Sequence, residues 1–205
     1  MLLVVRDLHL PLRHPFTTAH GTLSAKHNLL VELHDGGLLG YGEAAPSLAY
    51  PRFTAQSIRA DLENAARDLE CHEFNGPEEL WETLAPRLSA NPFALCAVDI
   101  AAHDLWGKMH GTPLWKMWGL DLANLPESNF TIGLDSLDTM VAKLREADGW
   151  PVYKIKLGGR DDLAVMRELR RHTSAPFRVD ANTGWTAEQT LAFAPELAEI
   201  GRAHV

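Results

Sequence analysis

The sequence is poor in cysteine, in basic charge and in long apolar runs, and each shortage excludes a class of protein. Only two of its 205 residues are cysteines, Cys71 and Cys96, so no disulfide framework is expected. The net charge of −8 and the pI near 5.6 argue against nucleic acid as a partner, because nucleic acid selects basic surfaces. No run approaches the roughly 20 apolar residues of a membrane helix, and Arg6 and Asp7 interrupt the apolar N-terminus before a signal-peptide core forms. We therefore expect a soluble, cytoplasmic protein with neither a nucleic-acid nor a membrane partner.

The hydrophobic fraction of 46% is enough for a packed core, and the length allows two domains. The first ~120 residues predict three strands followed by three helices, an α+β unit. We expect the strands at residues 2–10, 28–33 and 38–41, and the helices near 54–68, 77–84 and 92–110. Asn91 and Pro92 suit the N-cap and first position of the third helix, and Cys96 is expected in the core. The polar segment 16–26 predicts a mobile loop between the first two strands.

From residue 129 the pattern changes to alternating strands and helices. The strands are predicted at residues 129–134, 152–157 and 177–180, and the helices near 136–147, 161–171 and 186–200. Three consecutive β-α units predict a parallel sheet with right-handed crossovers. Because three parallel strands leave an open edge and half-covered faces, we expect this chain to be a C-terminally truncated part of a larger protein. Residues 201–205 lack a strand pattern, and we expect the native sequence to end near Glu199.

Two lysines and an aspartate carry the chemistry that the pattern indicates. Lys154 and Lys156 alternate with apolar residues of a predicted strand, so their side chains share one face. Neighbouring ammonium groups repel and release a proton more readily, as a general base near neutral pH requires. Asp180 ends the next predicted strand, and hard carboxylate oxygens suit Mg²⁺. The alternative interpretation is two solvated lysines that protect an edge strand and an ordinary polar turn after Val179.

Four segments have a familiar order and spacing over the two domains: Gly40-Tyr41-Gly42-Glu43-Ala44, the helix Ala97–Lys108, Lys154-Ile155-Lys156 and Asp180-Ala181-Asn182. Together they resemble the enolase superfamily, within its muconate-lactonizing subgroup. A narrower similarity to dipeptide epimerases of the Ala-Glu type is carried by 15–21 and 129–133.

The resemblance implies a fold and a set of residue roles. Residues 1–122 would form an α+β capping domain, and residues 123–205 the first three β/α units of a truncated TIM-type barrel, with the site at the C-terminal strand ends. Lys156 would be the base that takes the proton. Lys154 would bind the substrate carboxylate and favour proton loss from Lys156, and Thr131 would contact the substrate. Asp180 would be one ligand of Mg²⁺.

The implied activity is metal-dependent dipeptide epimerisation by α-proton abstraction through an enolate. The family's two further carboxylate ligands, its second lysine and an acidic motif for the dipeptide amino group are not found within 205 residues, so the fragment itself is expected to be inactive. The implied partner is a small molecule, a dipeptide or related carboxylate, and the full-length parent could form a homo-oligomer.

Other functions stay open at this point. A muconate cycloisomerase, an o-succinylbenzoate synthase or an N-acylamino acid racemase would share the fold and the metal but act on another substrate. A nucleotide-binding module is suggested by Leu157-Gly158-Gly159 between a strand and a helix, although neither G-x-G-x-x-G nor G-x-x-x-x-G-K-[ST] occurs. A binding module without catalysis is the third class.

Overall fold

The computed structural model describes residues 1–18, 20–70 and 72–200. Cys71, for which no disulfide is expected, and residues 201–205, which are expected to lack a strand, lie outside these ranges. Within them, every helix is too short or too polar to cross a bilayer. The chain forms two compact units, Met1–Pro11 with Ala25–Asn124 and Leu12–Ser24 with Leu125–Val205. A domain boundary after residue 122 stays a prediction.

The first unit is a three-stranded sheet covered by helices. Its strands are the first part of β1 (Leu2–Thr18), β2 (Gly21–Asp35) from Ala25 onward, and β3 (Leu38–Ala44). Its helices are α1 (Ala55–Leu69), α2 (Pro77–Leu88), α3 (Pro92–Met109) and α4 (Leu114–Met117). The sheet order is β1-β2-β3, and β2 pairs antiparallel with β3 across a turn at Gly36 and Gly37. Both glycines have positive φ, 54° and 81°, which two-residue hairpin turns require.

Helix α3 packs directly on strand β3 and forms the centre of this unit. A Cβ on Gly40 would lie 2.1 Å from the carbonyl oxygen of Ala101, so only glycine lets the backbones approach this closely. The predicted cap is confirmed, because the Asn91 side chain accepts a hydrogen bond from the N–H of Ala94. The prediction for Cys96 is wrong: its side chain is exposed. It shares an exposed helix face with Ile100, one turn later.

The predicted loop at residues 16–26 is also wrong. Strand β1 continues to Thr18 and β2 begins at Gly21, so most of the segment is strand. Threonine is small and polar but β-branched, and therefore fits a strand. The hydroxyl groups of Thr17 and Thr22 lie 2.9 Å apart in a cross-strand pair. Polar composition therefore does not distinguish a loop from a strand where two strands can pair along their backbones.

The second unit contains a parallel sheet in the order β4-β5-β6. Its strands are β4 (Phe130–Ile132), β5 (Tyr153–Lys156) and β6 (Phe177–Asp180), and its helices are α5 (Leu137–Glu146), α6 (Asp162–Arg170) and α7 (Ala187–Ile200). Buried apolar side chains of the strands pack with those of the helices, among them Ile132, Tyr153, Ile155, Phe177, Met140, Leu144, Met166 and Leu169. The predicted fold class, an α+β unit followed by β/α units of an incomplete barrel, is confirmed.

Candidate active site

The candidate site lies where strands β5 and β6 end. In a parallel sheet the carboxyl ends of neighbouring strands meet at one edge. Lys156 is the last residue of β5, Asp180 is the last residue of β6, and the two are paired in register. Lys154 lies two residues before Lys156 and therefore shares its face. The sheet thus brings together three of the four predicted site residues.

Both lysines converge on one carboxylate oxygen. The distance from Lys154 Nζ to Asp180 Oδ2 is 2.8 Å, and the distance from Lys156 Nζ to the same oxygen is 2.7 Å. Lys156 also donates a hydrogen bond of 2.7 Å to Oδ1 of Asn182. Lys156 is only 8% exposed and β5 is the central strand, so the interpretation of solvated lysines on an edge strand is wrong.

Asp180 is held in its charged form. Its partial burial by itself would raise its pKa, but hydrogen bonds from Lys154 and Lys156 outweigh that effect and place the pKa of Asp180 well below its usual range. The backbone N–H of Asn182 adds a further hydrogen bond of 2.9 Å to Oδ1. A carboxylate that stays ionised near neutral pH, next to an amide oxygen, is a donor set of hard oxygens that suits Mg²⁺.

The turn after β6 has a strained backbone. Asn182 and Thr183 have φ values of 47° and 64°, in the left-handed region. Asparagine tolerates this region, whereas a β-branched residue there is a genuine outlier at a cost of roughly 1–3 kcal/mol. The turn directs the Asn182 amide at Lys156. Asn182 belongs to the motif Asp180-Ala181-Asn182, but no role was predicted for it. The feature of the sequence that could have indicated one is an asparagine in a turn-forming segment.

Asp162 connects the loops that follow β5 and β6. Its carboxylate is 5% exposed and accepts hydrogen bonds from the N–H groups of Gly158 and Gly159, at 2.9 and 3.0 Å. It also accepts a 2.7 Å hydrogen bond from Nε1 of Trp185. Because a carboxylate already occupies the two glycine N–H groups, this loop does not offer them to a phosphate, which argues against the nucleotide-binding alternative.

A cavity of about 720 Å³ opens beside the lysine–aspartate cluster, a volume suited to a small molecule. Lys154, Arg178, Asp180 and Asn182 line it. Sequence analysis missed Arg178, although it lies two residues before Asp180 and therefore on the same strand face.

Two predicted residues are not part of the lining of this cavity. Among the described residues, neither Lys156 nor Thr131 lines the cavity. Lys156 donates hydrogen bonds to Asp180 and Asn182, which do line the cavity. Thr131 is half-buried on β4 in register with Lys154, and its role in substrate contact stays a prediction.

Two family descriptions match the chain. Residues 2–119 match the family described as mandelate racemase / muconate lactonizing enzyme, N-terminal domain, and residues 137–205 match the family described as enolase C-terminal domain-like. An L-Ala-D/L-amino acid epimerase from Maribacter sp. is 44% identical over 201 residues, which cover 98% of this chain and 59% of the relative. An L-Ala-D/L-Glu epimerase from Bacteroides thetaiotaomicron is 36% identical over 184 residues, 88% of this chain and 47% of the relative.

Two solved structures share the fold of this chain. A dipeptide epimerase from Methylococcus capsulatus, complexed with Mg and the dipeptide L-Arg-D-Lys, superposes with a TM-score of 0.86 at 31% identity, over 98% of this chain and 58% of that chain. A substrate-liganded L-Ala-D/L-Glu epimerase from Bacillus subtilis superposes with a TM-score of 0.87 at 27% identity, over 98% and 59%. The chain therefore spans about three fifths of the length of the relatives that it matches.

Proposed function

This chain belongs to the mandelate racemase / muconate lactonizing enzyme family, and on that premise we propose that its lysine–aspartate site serves α-proton removal from a dipeptide. The observation that carries the proposal is the convergence of Lys154 and Lys156 on one oxygen of Asp180 at the C-terminal edge of the parallel sheet. General bases of this kind need an amine within reach of the substrate and a way to hold the substrate carboxylate. Lys154 and Lys156 supply amines, and Asp180 with its metal or Lys154 itself would hold the substrate carboxylate.

Each residue has a role in this proposal. Lys156 is the proton acceptor in this proposal, the role that the family resemblance implies, and its buried amine is held in place by two oxygen partners. Lys154 is 34% exposed and lines the cavity, so it is placed to bind the substrate carboxylate. Asn182 orients the Lys156 amine by accepting its hydrogen bond. Thr131, in register with Lys154, is a candidate for substrate contact from the neighbouring strand.

The oxygen donors at this place fit Mg²⁺, and Asp180 is the residue that would hold it. The ion would supply Lewis-acid neutralisation of the charge that the substrate carboxylate gains when the α-proton leaves. Asp180 is the one carboxylate in contact with the lysines among the described residues, and it faces two ammonium groups. We therefore expect the 205-residue chain alone to bind Mg²⁺ weakly and to show no epimerase activity.

Two observations bear on the substrate: the relatives favour a dipeptide, and the cavity favours a carboxylate. Several relatives are named for dipeptide epimerisation, and solved neighbours hold Mg with a dipeptide. In addition, the cavity presents the cationic side chains of Lys154 and Arg178, which suit an anionic carboxylate. A cycloisomerase, an o-succinylbenzoate synthase or an N-acylamino acid racemase would also use a carboxylate substrate, so the choice among them rests on the relatives alone.

The test is α-proton exchange in D₂O, followed by proton NMR, on the longest gene product that carries this sequence. The substrates are a panel of L-Ala dipeptides, N-acylamino acids, muconate and an o-succinylbenzoate precursor. Lys156→Met should lower the exchange rate at least about 100-fold, as the loss of a general base does. Lys108→Met is the matched control, because Lys108 pairs with Asp104 on α3 in the first unit and should leave the rate unchanged.

The outcomes separate the two parts of the proposal. Exchange with dipeptides that needs Mg²⁺ and Lys156 supports both parts. Exchange only with another carboxylate refutes the dipeptide as substrate and keeps proton removal. Equal rates for Lys156→Met and the unchanged protein, or no exchange with any compound, would leave a binding module without catalysis.

A further inference from the structure

A second cluster of ligating side chains lies in the first unit, on the sheet formed by β1 and β2. Asp7 and His9 are two residues apart on β1 and share a face, and His27 is on the neighbouring strand β2. His27 Nε2 lies 2.8 Å from Asp7 Oδ1, and the rings of His9 and His27 stack with centroids 4.2 Å apart. One ligand atom from each of the three residues lies within 4.8 Å of the other two. The strands thus gather two imidazoles and a carboxylate.

This spacing is close to that of a bound metal. Ligands at 2.0–2.1 Å from a tetrahedral ion are separated by roughly 3.3 Å, so the longest separation here needs to shorten by about 1.5 Å at most. All three side chains are exposed, and side-chain rotation can provide that change without moving the strands. The hydrogen bond between His27 and Asp7 marks the place where a cation would replace a proton between the same two atoms.

An arginine outside the cluster orients the carboxylate of Asp7. Arg59, on α1, lies with Nη2 2.9 Å from Oδ2 of Asp7. Its Nη1 donates a 3.0 Å hydrogen bond to the carbonyl oxygen of Val5, which ties the guanidinium to strand β1. Asp7 therefore directs its other oxygen, Oδ1, toward His27. Outer partners of this kind fix the orientation of metal-binding carboxylates.

We propose that Asp7, His9 and His27 bind one borderline divalent metal ion, Zn²⁺ or Co²⁺ rather than Mg²⁺. Two imidazoles and one carboxylate are a ligand set for zinc-type metals, whereas Mg²⁺ takes oxygen ligands. Three protein ligands leave a fourth position open to solvent, where water or a small anion can bind. The site is separate in chemistry from the proposed magnesium ligand Asp180. It would join β1 to β2 and stabilise the folded first unit by binding only the folded state.

The test uses the metal-free 205-residue chain, with ZnCl₂ added in isothermal titration calorimetry and CoCl₂ added under visible absorption. The variants are His9→Gln and His27→Gln, and the matched control is His34→Gln. His34 also lies on β2 and is partly exposed, but its ring is paired with Glu32 outside the cluster. We expect one strong Zn²⁺ equivalent, weakened at least about tenfold in both cluster variants and unchanged in the control. MgCl₂ should not compete.

A measurement without variants keeps the proposal independent of how they fold. Electron paramagnetic resonance of the Cu²⁺-loaded chain should show coupling to two imidazole nitrogens. The proposal is overturned if Zn²⁺ binds equally to all variants, if no saturable binding occurs, or if the Cu²⁺ spectrum shows fewer than two nitrogens. Far-UV circular dichroism of each variant establishes that a loss of binding is not a loss of the fold.

Discussion

Removing one lysine from the site should have little effect on stability, whereas neutralising the aspartate should have a clear effect. Lys156→Met leaves Asp180 paired with Lys154 at 2.8 Å and with the backbone N–H of Asn182 at 2.9 Å. The methionine is close in size to the lysine and suits a position that is 8% exposed. Asn182 loses one donor but is half-buried and can bond to water. We expect the free energy of unfolding to fall by no more than about 1 kcal/mol.

Asp180→Asn leaves two ammonium groups beside each other without a counter-charge. Breaking a fully buried ion pair by removing one partner costs about 3–5 kcal/mol, and a hydrogen bond to a charged group contributes about 1.5–3 kcal/mol. The Asp180 side chain is 25% exposed, so solvent reduces the larger figure. We therefore expect a loss of about 2 kcal/mol, close to a 30-fold change in the folding equilibrium.

The assay is hydrogen exchange by mass spectrometry of peptides that cover β5 and β6, which reports the local stability of this sheet. Lys154→Met is the matched control: its side chain is more exposed than that of Lys156, and the carboxylate keeps the more buried partner. The expected order of protection is wild type, then the two lysine variants, then Asp180→Asn. The reasoning is refuted if Lys156→Met loses as much protection as Asp180→Asn, because the lysine would then be a structural member of the sheet.

Three further predictions concern the rest of the chain. Gly42→Ala should destabilise the first unit by about 3 kcal/mol or more in urea unfolding, because the added methyl group would lie 1.9 Å from a carbonyl oxygen of α3, whereas Gly159→Ala has only contacts of 3.4 Å or longer and should change stability little. Asn91→Ala should lower the melting temperature through loss of a cap worth about 1 kcal/mol and of a partly buried hydrogen bond to Asp61, and Asn91→Ser should restore the cap. The hydrogen bond from Lys143 lowers the pKa of Asp135, so this carboxylate stabilises the fold above the unfolded pKa of about 4 and loses that effect as pH falls through its lower folded value. Asp135→Asn should therefore be less stable than wild type at pH 7 in urea titrations, by about 0.5 kcal/mol, and the two should converge as the pH falls below the lowered pKa of Asp135. A difference that persists or grows in acid would contradict this.

The order and type of most elements could be predicted from the sequence because local signals agreed with tertiary packing. The best example is α3, where a capping side chain and a proline at the first position both mark the start that the structure has. The predicted loop at residues 16–26 failed for the opposite reason. Its polar residues show no strand periodicity. The strands form because the two backbones pair along a long hairpin, which no local sequence pattern predicts.

The candidate site could be predicted only in part. Strand alternation was enough to place Lys154 and Lys156 on one face, and parallel topology was enough to bring them to Asp180. The position of the Asn182 side chain depends on a strained turn, and the direction of that turn cannot be predicted from the composition of the segment. Arg178 could also be predicted, because strand alternation places it on the same face as Asp180.

The parallel strands show why chemistry and stability can be separated in this unit. Successive side chains point to opposite faces, so Ile155 and Val179 fill the core while Lys154 and Asp180 form the site. A slip of one residue would exchange the two faces and bury charge, so the apolar residues alone hold the register. The polar face can therefore hold two amines in contact with one carboxylate, an arrangement that the packing of the core does not require. It follows that substitution of either lysine on this face should change binding and proton transfer more than folding, and that replacing Ile155 by a smaller apolar residue should do the reverse.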